Sequence, residues 1–318
     1  MKGLRIILFL IIVAGGITVS TLMIRSRTQP AVQSSLAPAY TVAGQATKAV
    51  DRAVTKALPI DDLDEAAFGD ELARRMELDG DDDSVQARYL QKLMAEISVY
   101  GKKPFQYRVY AMDSPVPNAF AMPGGVIVVT HGLLYMLETE SQLVGILAHE
   151  MGHVEHGHCM DAVKFQLLAD KAGLPPLGVL ADMAQRMLVQ HSYSKTQEDE
   201  ADAYAFKVLL ETRYNPSGLG QGFKLLMEKC PTVRPANQAH PIYDYLMTHT
   251  PTPIREERYR VKAENWWRDH AGEQRYDGRQ NLTEFQAMST WAYDDEWITE
   301  QPGPAPQQEG SDADDFWK

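Results

Sequence analysis

The chain has 318 residues, enough for a sizeable core beyond one minimal domain, and 44% hydrophobic with 23% charged residues is an ordinary globular composition. Its formal net charge of −12 argues against a nucleic-acid partner, because phosphate binding needs a basic face. Two cysteines, Cys159 and Cys230, leave open either a disulfide or two buried thiols.

Residues 1–27 stand apart. Lys2 and Arg5 precede an uncharged run from Ile6 to Ile24, and Arg25 and Arg27 close it. As a helix this run is ~28 Å long, about the thickness of a bilayer core. It reads as an N-terminal transmembrane anchor, or as a signal sequence that is later removed. Residues 28–60 are small and polar and read as a linker. From 61 the pattern is globular, and 61–270 form one domain. Residues 271–318 are a C-terminal extension, acidic and disordered from about 300. The acidic run at Asp79–Asp83 lacks the glycine and glutamate spacing of a calcium loop and reads as helix-start charge.

Ser84–Gly101 carries Ala87, Leu90, Leu93, Met94 and Ile97 at helical spacing. "FQYRVYAMD" alternates like a strand, with Tyr107, Val109 and Ala111 on one side, and "VIVVT", Val126–Thr130, is a second β-branched strand. A cap at Thr139 or Ser141 opens one long helix running to about Leu168. "LPPLG" at Leu174–Gly178 breaks the pattern, two helices are expected at about 178–191 and 195–212, and residues 165–192 read as a helical lid. The expected fold is helix-rich α+β with a small sheet.

"LAHEMGHVEHGHC", Leu147–Cys159, holds four of the nine histidines. His149 and His153 are four residues apart, so both imidazoles leave one helix face and can reach one ion. Glu150 is turned ~100° away, beside such an ion rather than on it. This is the HExxH arrangement: two zinc ligands and a general base for the attacking water. Gly152 costs ~1 kcal/mol in a helix interior and implies close approach of another backbone. A straight helix carries His156 ~10 Å from His149. His156 and His158 are therefore read as supporting or surface groups.

A third ligand is needed, and "SKTQEDEADAYAF", Ser194–Phe206, offers it. Glu198 and Asp202 share a helix face: Glu198 to ligate one Zn2+ per chain, Asp202 to hold a ligand imidazole in its metal-binding tautomer. Glu200 is the rival ligand. Small Ala201 and Ala203 permit close packing.

With "HEMGHVEHGH" followed by "EDEAD", the chain resembles the zinc metallopeptidase family of the CAAX prenyl protease, the HtpX protease and the BepA- and LoiP-type periplasmic proteases, which reads HExGH then ExxxD. The resemblance covers about residues 65–262. It implies an HExxH zincin fold of gluzincin-like type and a zinc-dependent endopeptidase in envelope protein quality control. The peptidase domain would lie in the periplasm, anchored to the inner membrane or exported, with protein or peptide substrates. It also implies that "NAFAMPGGVIVVTHGLL" contains an edge strand whose Asn118, Ala119, Phe120, Ala121, Met122, Gly124 and Gly125 bind an extended substrate. The family's HPxxxxR element departs here to "THTPTPIREER". His249 takes the histidine's place, as a catalytic group that stabilises the oxyanion or gates the zinc, and Arg255 stands at the arginine's offset beside its competitor Arg258. The alternatives are a zinc-containing binding or chaperone-like module, against which Glu150 argues, and a prenyl-protein protease, against which a single apolar span argues.

Overall fold

The computed structural model describes residues 62–78, 83–161, 193–229, 249 and 252–299. The chain divides into two compact units, residues 1–57 and 58–318, and everything described belongs to the second. The run Ile6–Ile24, the linker, the segment read as a lid, the acidic run from Asp79 to Asp82, Cys230 and the tail beyond 299 lie outside the described residues. Among the described residues no helix is long and apolar enough to cross a membrane.

In chain order the elements are α1 (Asp62–Arg75), α2 (Val85–Ser98), β1 (Arg108–Met112), β2 (Ala119–Met122), β3 (Val126–Thr130), α3 (His131–Met136), α4 (Glu140–Glu155), α5 (Lys195–Glu211), α6 (Gly218–Lys229), α7 (Pro253–Asp269), β4 (Arg275–Tyr276), α8 (Arg279–Glu284) and β5 (Trp297–Ile298). The architecture is helix-rich with a small sheet, as expected.

Helix α2 begins where Ser84 accepts a hydrogen bond from the Ala87 N–H, and its apolar stripe, Ala87, Leu90, Leu93, Met94 and Ile97, is buried together with Tyr89. The sheet order is β1-β3-β2. β3 runs parallel to β1 and antiparallel to β2, with Ala121 opposite Ile127. All five residues of "VIVVT" are buried, as a central strand covered on both faces demands. Among the described residues β2 is therefore an edge strand. The Thr130 N–H donates to the Asn118 carbonyl, so Asn118 faces β3; backbone groups alternate, so Ala119 and Ala121 turn theirs away from it.

Helix α4 is the centre of the domain, buried from Glu140 to Val154 and packed by α5, α6, α2 and β2. Its cap is Thr139, in a reciprocal capping box with Gln142; Ser141 lies inside the helix. The expectation of one helix from 139 to about 168 is corrected. α4 ends at Glu155, and helix resumes only at His158. Gly157 adopts φ of 75°, a left-handed conformation that glycine alone adopts without strain. Gly152 does mark a close approach. A Cβ there would stand 3.0 Å from both Cα and O of Ala201 on α5. Ala201 is buried in that contact, whereas Ala203 is exposed and plays no part in it.

The first residues of α4 are held by the segment after α7. The Glu140 and Ser141 N–H groups donate to the Gly278 and Asp277 carbonyls. The fully buried Glu140 carboxylate accepts from Tyr89 Oη at 2.8 Å, Tyr214 Oη at 2.6 Å and the Met288 N–H at 3.0 Å. Burial nevertheless pushes its pKa up to about 7. The native state therefore holds this proton more tightly than the unfolded chain does. The contribution of Glu140 to stability is therefore fully present below the unfolded value of about 4.5 and is lost as pH rises towards 7, by roughly 3 kcal/mol over that window. Glu140→Gln should flatten this slope in denaturant titrations between pH 4.5 and 7. An unchanged slope would remove Glu140 as its source.

Candidate active site

Four buried side chains converge: His149 and His153 from α4, Glu198 from α5, and His249. Each contributes one ligand-type atom, and these atoms all lie within 4.8 Å of one another. His149 Nε2 is 3.1 Å from His153 Nε2 and 3.2 Å from His249 Nδ1. Glu198 Oε1 is 3.1 Å from His249 Nδ1 and 3.4 Å from His153 Nε2, and Glu198 Oε2 is 3.7 Å from His149 Nε2. Donors bound tetrahedrally at ~2.0–2.1 Å are about 3.3 Å apart, so these spacings fit one zinc ion, and imidazole with carboxylate is a zinc donor set.

Glu150 is completely buried beside the cluster, and neither of its carboxylate oxygens accepts a hydrogen bond among the described residues. His249 Nε2 lies 3.6 Å from its Oε1. A buried carboxylate that accepts no hydrogen bond is costly, so its retention points to chemistry rather than stability.

Around the donors lies a shell of opposite charges. Asp202 Oδ1 is 2.9 Å from His149 Nδ1, a short contact though off the line of an ideal hydrogen bond. Asp202 also receives Arg255 in a bidentate pair, Nε to Oδ2 at 2.8 Å and Nη2 to Oδ1 at 2.7 Å. The third guanidinium nitrogen, Nη1, lies 2.6 Å from Glu198 Oε2. Burial opposes ionisation of Asp202, but the His149 and Arg255 contacts outweigh it and lower its pKa. Burial likewise opposes charge on Glu198, yet His249, His153 and His149 hold it far below the usual carboxylate range. Burial pulls His153 down, keeping the ring neutral as a ligand must be. His249 goes the other way. Burial disfavours its charge, but Glu150 and Glu198 together raise its pKa.

The structure thus brings together His149, Glu150, His153, Glu198, Asp202 and His249. Glu200 points elsewhere, with Oε2 3.1 Å from His158 Nε2. His156 stays outside the cluster, its Nδ1 2.8 Å from the Gly152 carbonyl. Pro123–Gly125 form a buried turn after β2 and precede β3, with α1 packed over them.

Three residues carry more than the sequence reading gave them. Arg255 was placed only by its offset, with no role. His158 sits against His153, with the two Nδ1 atoms 3.0 Å apart. Tyr193 stacks on the His153 ring at 3.8 Å between centroids. Its hydroxyl is 3.6 Å from Cys159 Sγ, a free buried thiol whose pKa burial pushes up to about 12. Arg255 was the legible one, as an arginine three residues past the Thr252 cap of α7, six after His249.

Comparison with known proteins agrees with this geometry. The model of Peptidase family M48 matches residues 81–261, more than half of the chain. The chain is 28% identical over 185 residues to Metalloprotease LoiP of Escherichia coli (strain K12), covering 54% of this chain and 72% of that protein. The same figures hold for Metalloprotease YcaL of Escherichia coli (strain K12). Similarity to the Beta-barrel assembly-enhancing protease of Escherichia coli (strain K12) is 27% over 147 residues, 40% of this chain and 29% of that protein. A zinc-type donor cluster, an unmatched carboxylate beside it and a family match spanning both helices that build it lead to one conclusion: the chain belongs to Peptidase family M48 and is a zinc metalloendopeptidase.

Proposed function

We propose that His149, His153 and Glu198 hold the zinc and that Glu150 is the general base. One observation carries the reading: a buried carboxylate that accepts no hydrogen bond among the described residues, next to a convergent donor cluster. Zinc, when bound, supplies Lewis acidity that polarises the scissile carbonyl and makes water nucleophilic near neutral pH. Glu150 takes the proton from the attacking water on a carboxylate oxygen and passes it to the leaving amine. Asp202 fixes the tautomer and orientation of His149. An extended substrate adds to the edge of β2, engaging the backbone of Ala119 and Ala121 and displacing the Cys159 thiol that lies 3.6 Å from the Ala121 carbonyl, while Asn118, Phe120, Met122, Gly124 and Gly125 shape the strand and the turn after it.

His249 is assigned the gate. Its Nδ1 stands among the donors and its Nε2 faces Glu150, so in this arrangement it fills the place that substrate needs. That same four-donor closure favours a second reading, a structural zinc in a binding module. The buried carboxylate of Glu150 weighs against it.

The setting we assign is a bacterial envelope, with residues 1–27 as an inner-membrane anchor or cleaved export signal and the peptidase domain in the periplasm. Support comes from the apolar run Ile6–Ile24 and from the likeness to a protease named for β-barrel assembly. Misassembled envelope proteins are the proposed substrates.

The full chain should cleave an unfolded protein such as reduced casein. A chelator should stop cleavage, and zinc but not magnesium should restore it. Cleavage that persists after exhaustive chelation would contradict the enzyme mechanism; zinc bound without any cleavage would favour the binding module.

A further inference from the structure

His158 and Glu200 have no role in the site as assigned so far. The break at Gly157 turns the chain so that His158 comes alongside His153 instead of continuing away from it. His158 is buried, with 3% of its surface exposed. Its ring lies nearly parallel to His156, 21° between planes and 5.5 Å between centroids, and His156 is tied to the Gly152 carbonyl.

The hydrogen positions on these rings follow from one another. His153 turns Nε2 towards the other donors, so that nitrogen offers a lone pair and the ring's proton sits on Nδ1. A buried N–H needs an acceptor. The atom facing it, at 3.0 Å, is His158 Nδ1, which must therefore be the lone-pair nitrogen of its own ring. The proton of a neutral His158 is then on Nε2, and that nitrogen faces the Glu200 carboxylate at 3.1 Å. Each step leaves a single tautomer. Glu200 lies two residues from Glu198, ~200° around α5. It cannot share Glu198's position, but it can reach the far side of His153 through an intervening imidazole. On this view the "EDE" run is divided: Glu198 faces the donors and Glu200 supports them from behind.

We infer that His158 and Glu200 are positioning residues, a hydrogen-bonded chain that fixes His153 in its Nδ1–H tautomer and so sets how tightly zinc is held. It rests on the reading of His149, His153 and Glu198 as the zinc ligands. It complements Asp202, which acts on His149 directly.

The test is zinc affinity of the full chain, measured by competition with a chelating fluorophore and requiring no turnover. His158→Ala should weaken zinc binding by roughly 10–100-fold. Glu200→Ala should weaken it in the same direction, beyond the ~twofold scatter of independent sites. The double variant should be no weaker than His158→Ala alone, because Glu200 acts only through that ring. His158→Asn, which can still accept and donate, should recover part of the loss. If His158→Ala does not fold, Glu200→Ala and His158→Asn decide the matter, since Glu200 is partly exposed. Affinities all within about twofold of wild type, or losses that multiply in the double variant, would overturn the chain while leaving the zinc site intact. Wild type that holds no zinc would overturn the metal site itself and this proposal with it.

Discussion

Glu150→Gln keeps its zinc and loses turnover. The substitution preserves shape but removes the proton acceptor, and positioned acid–base groups contribute ~10²–10⁴-fold. The drop should appear in kcat/KM on an unfolded protein substrate. Zinc content should stay at the wild-type level, because Glu150 is not among the converging donors. Stability should change little, since the amide keeps the shape of a side chain that no hydrogen bond holds among the described residues. This combination separates a catalytic carboxylate from a structural one, whose loss would lower Tm or zinc content. Activity within about tenfold of wild type would leave the reaction without its base.

Arg255→Ala should be among the most destabilising single changes in the domain. The guanidinium is 6% exposed, pairs with both Asp202 oxygens and contacts Glu198. Its removal leaves two buried carboxylates short of a counter-charge, a situation that costs ~3–5 kcal/mol. For a domain of this size that corresponds to a Tm lower by about 10 °C. Zinc should also bind more weakly, because Asp202 and Glu198 lose the group that holds them in place. Arg255→Lys should rescue only part of both, since an ammonium cannot reproduce the fork. Arg255 also lies over the Phe223 ring, with its guanidinium carbon 4.4 Å from the centroid, so the alanine variant loses packing as well as charge. An unchanged Tm and unchanged zinc affinity would show that the two carboxylates do not depend on it.

The parts of the site legible in the sequence are those fixed by helical periodicity. His149 and His153 share a face because four residues make slightly more than one turn, and the same arithmetic pairs Glu198 with Asp202. The choice between Glu198 and Glu200 was not local. It depends on how α5 rolls against α4, and that is set by the contact of Gly152 with Ala201. Gly152 carried a readable signal of that contact, because a helix-interior glycine costs stability unless something needs the space. Gly157 carried one too, since "EHGH" places a glycine where a helix can end. The apolar residues further on, Met160, Ala162 and Val163, made continuation look equally good, and the turn that brings His158 to His153 stayed hidden. β3 was plain from its β-branched run, whereas β2 is four residues with two alanines and was reachable only through family likeness. The Glu140 pocket was beyond periodicity altogether. Its partners Tyr89, Tyr214 and Met288 are up to 148 positions away in the chain.

The measurement closest to the central claim is zinc per chain in folded wild type beside Glu198→Ala. About one zinc in wild type and a clear loss in the variant is the predicted result, because three protein ligands define a catalytic zinc site. Full retention of zinc by Glu198→Ala, or folded wild type that takes up none, would contradict it.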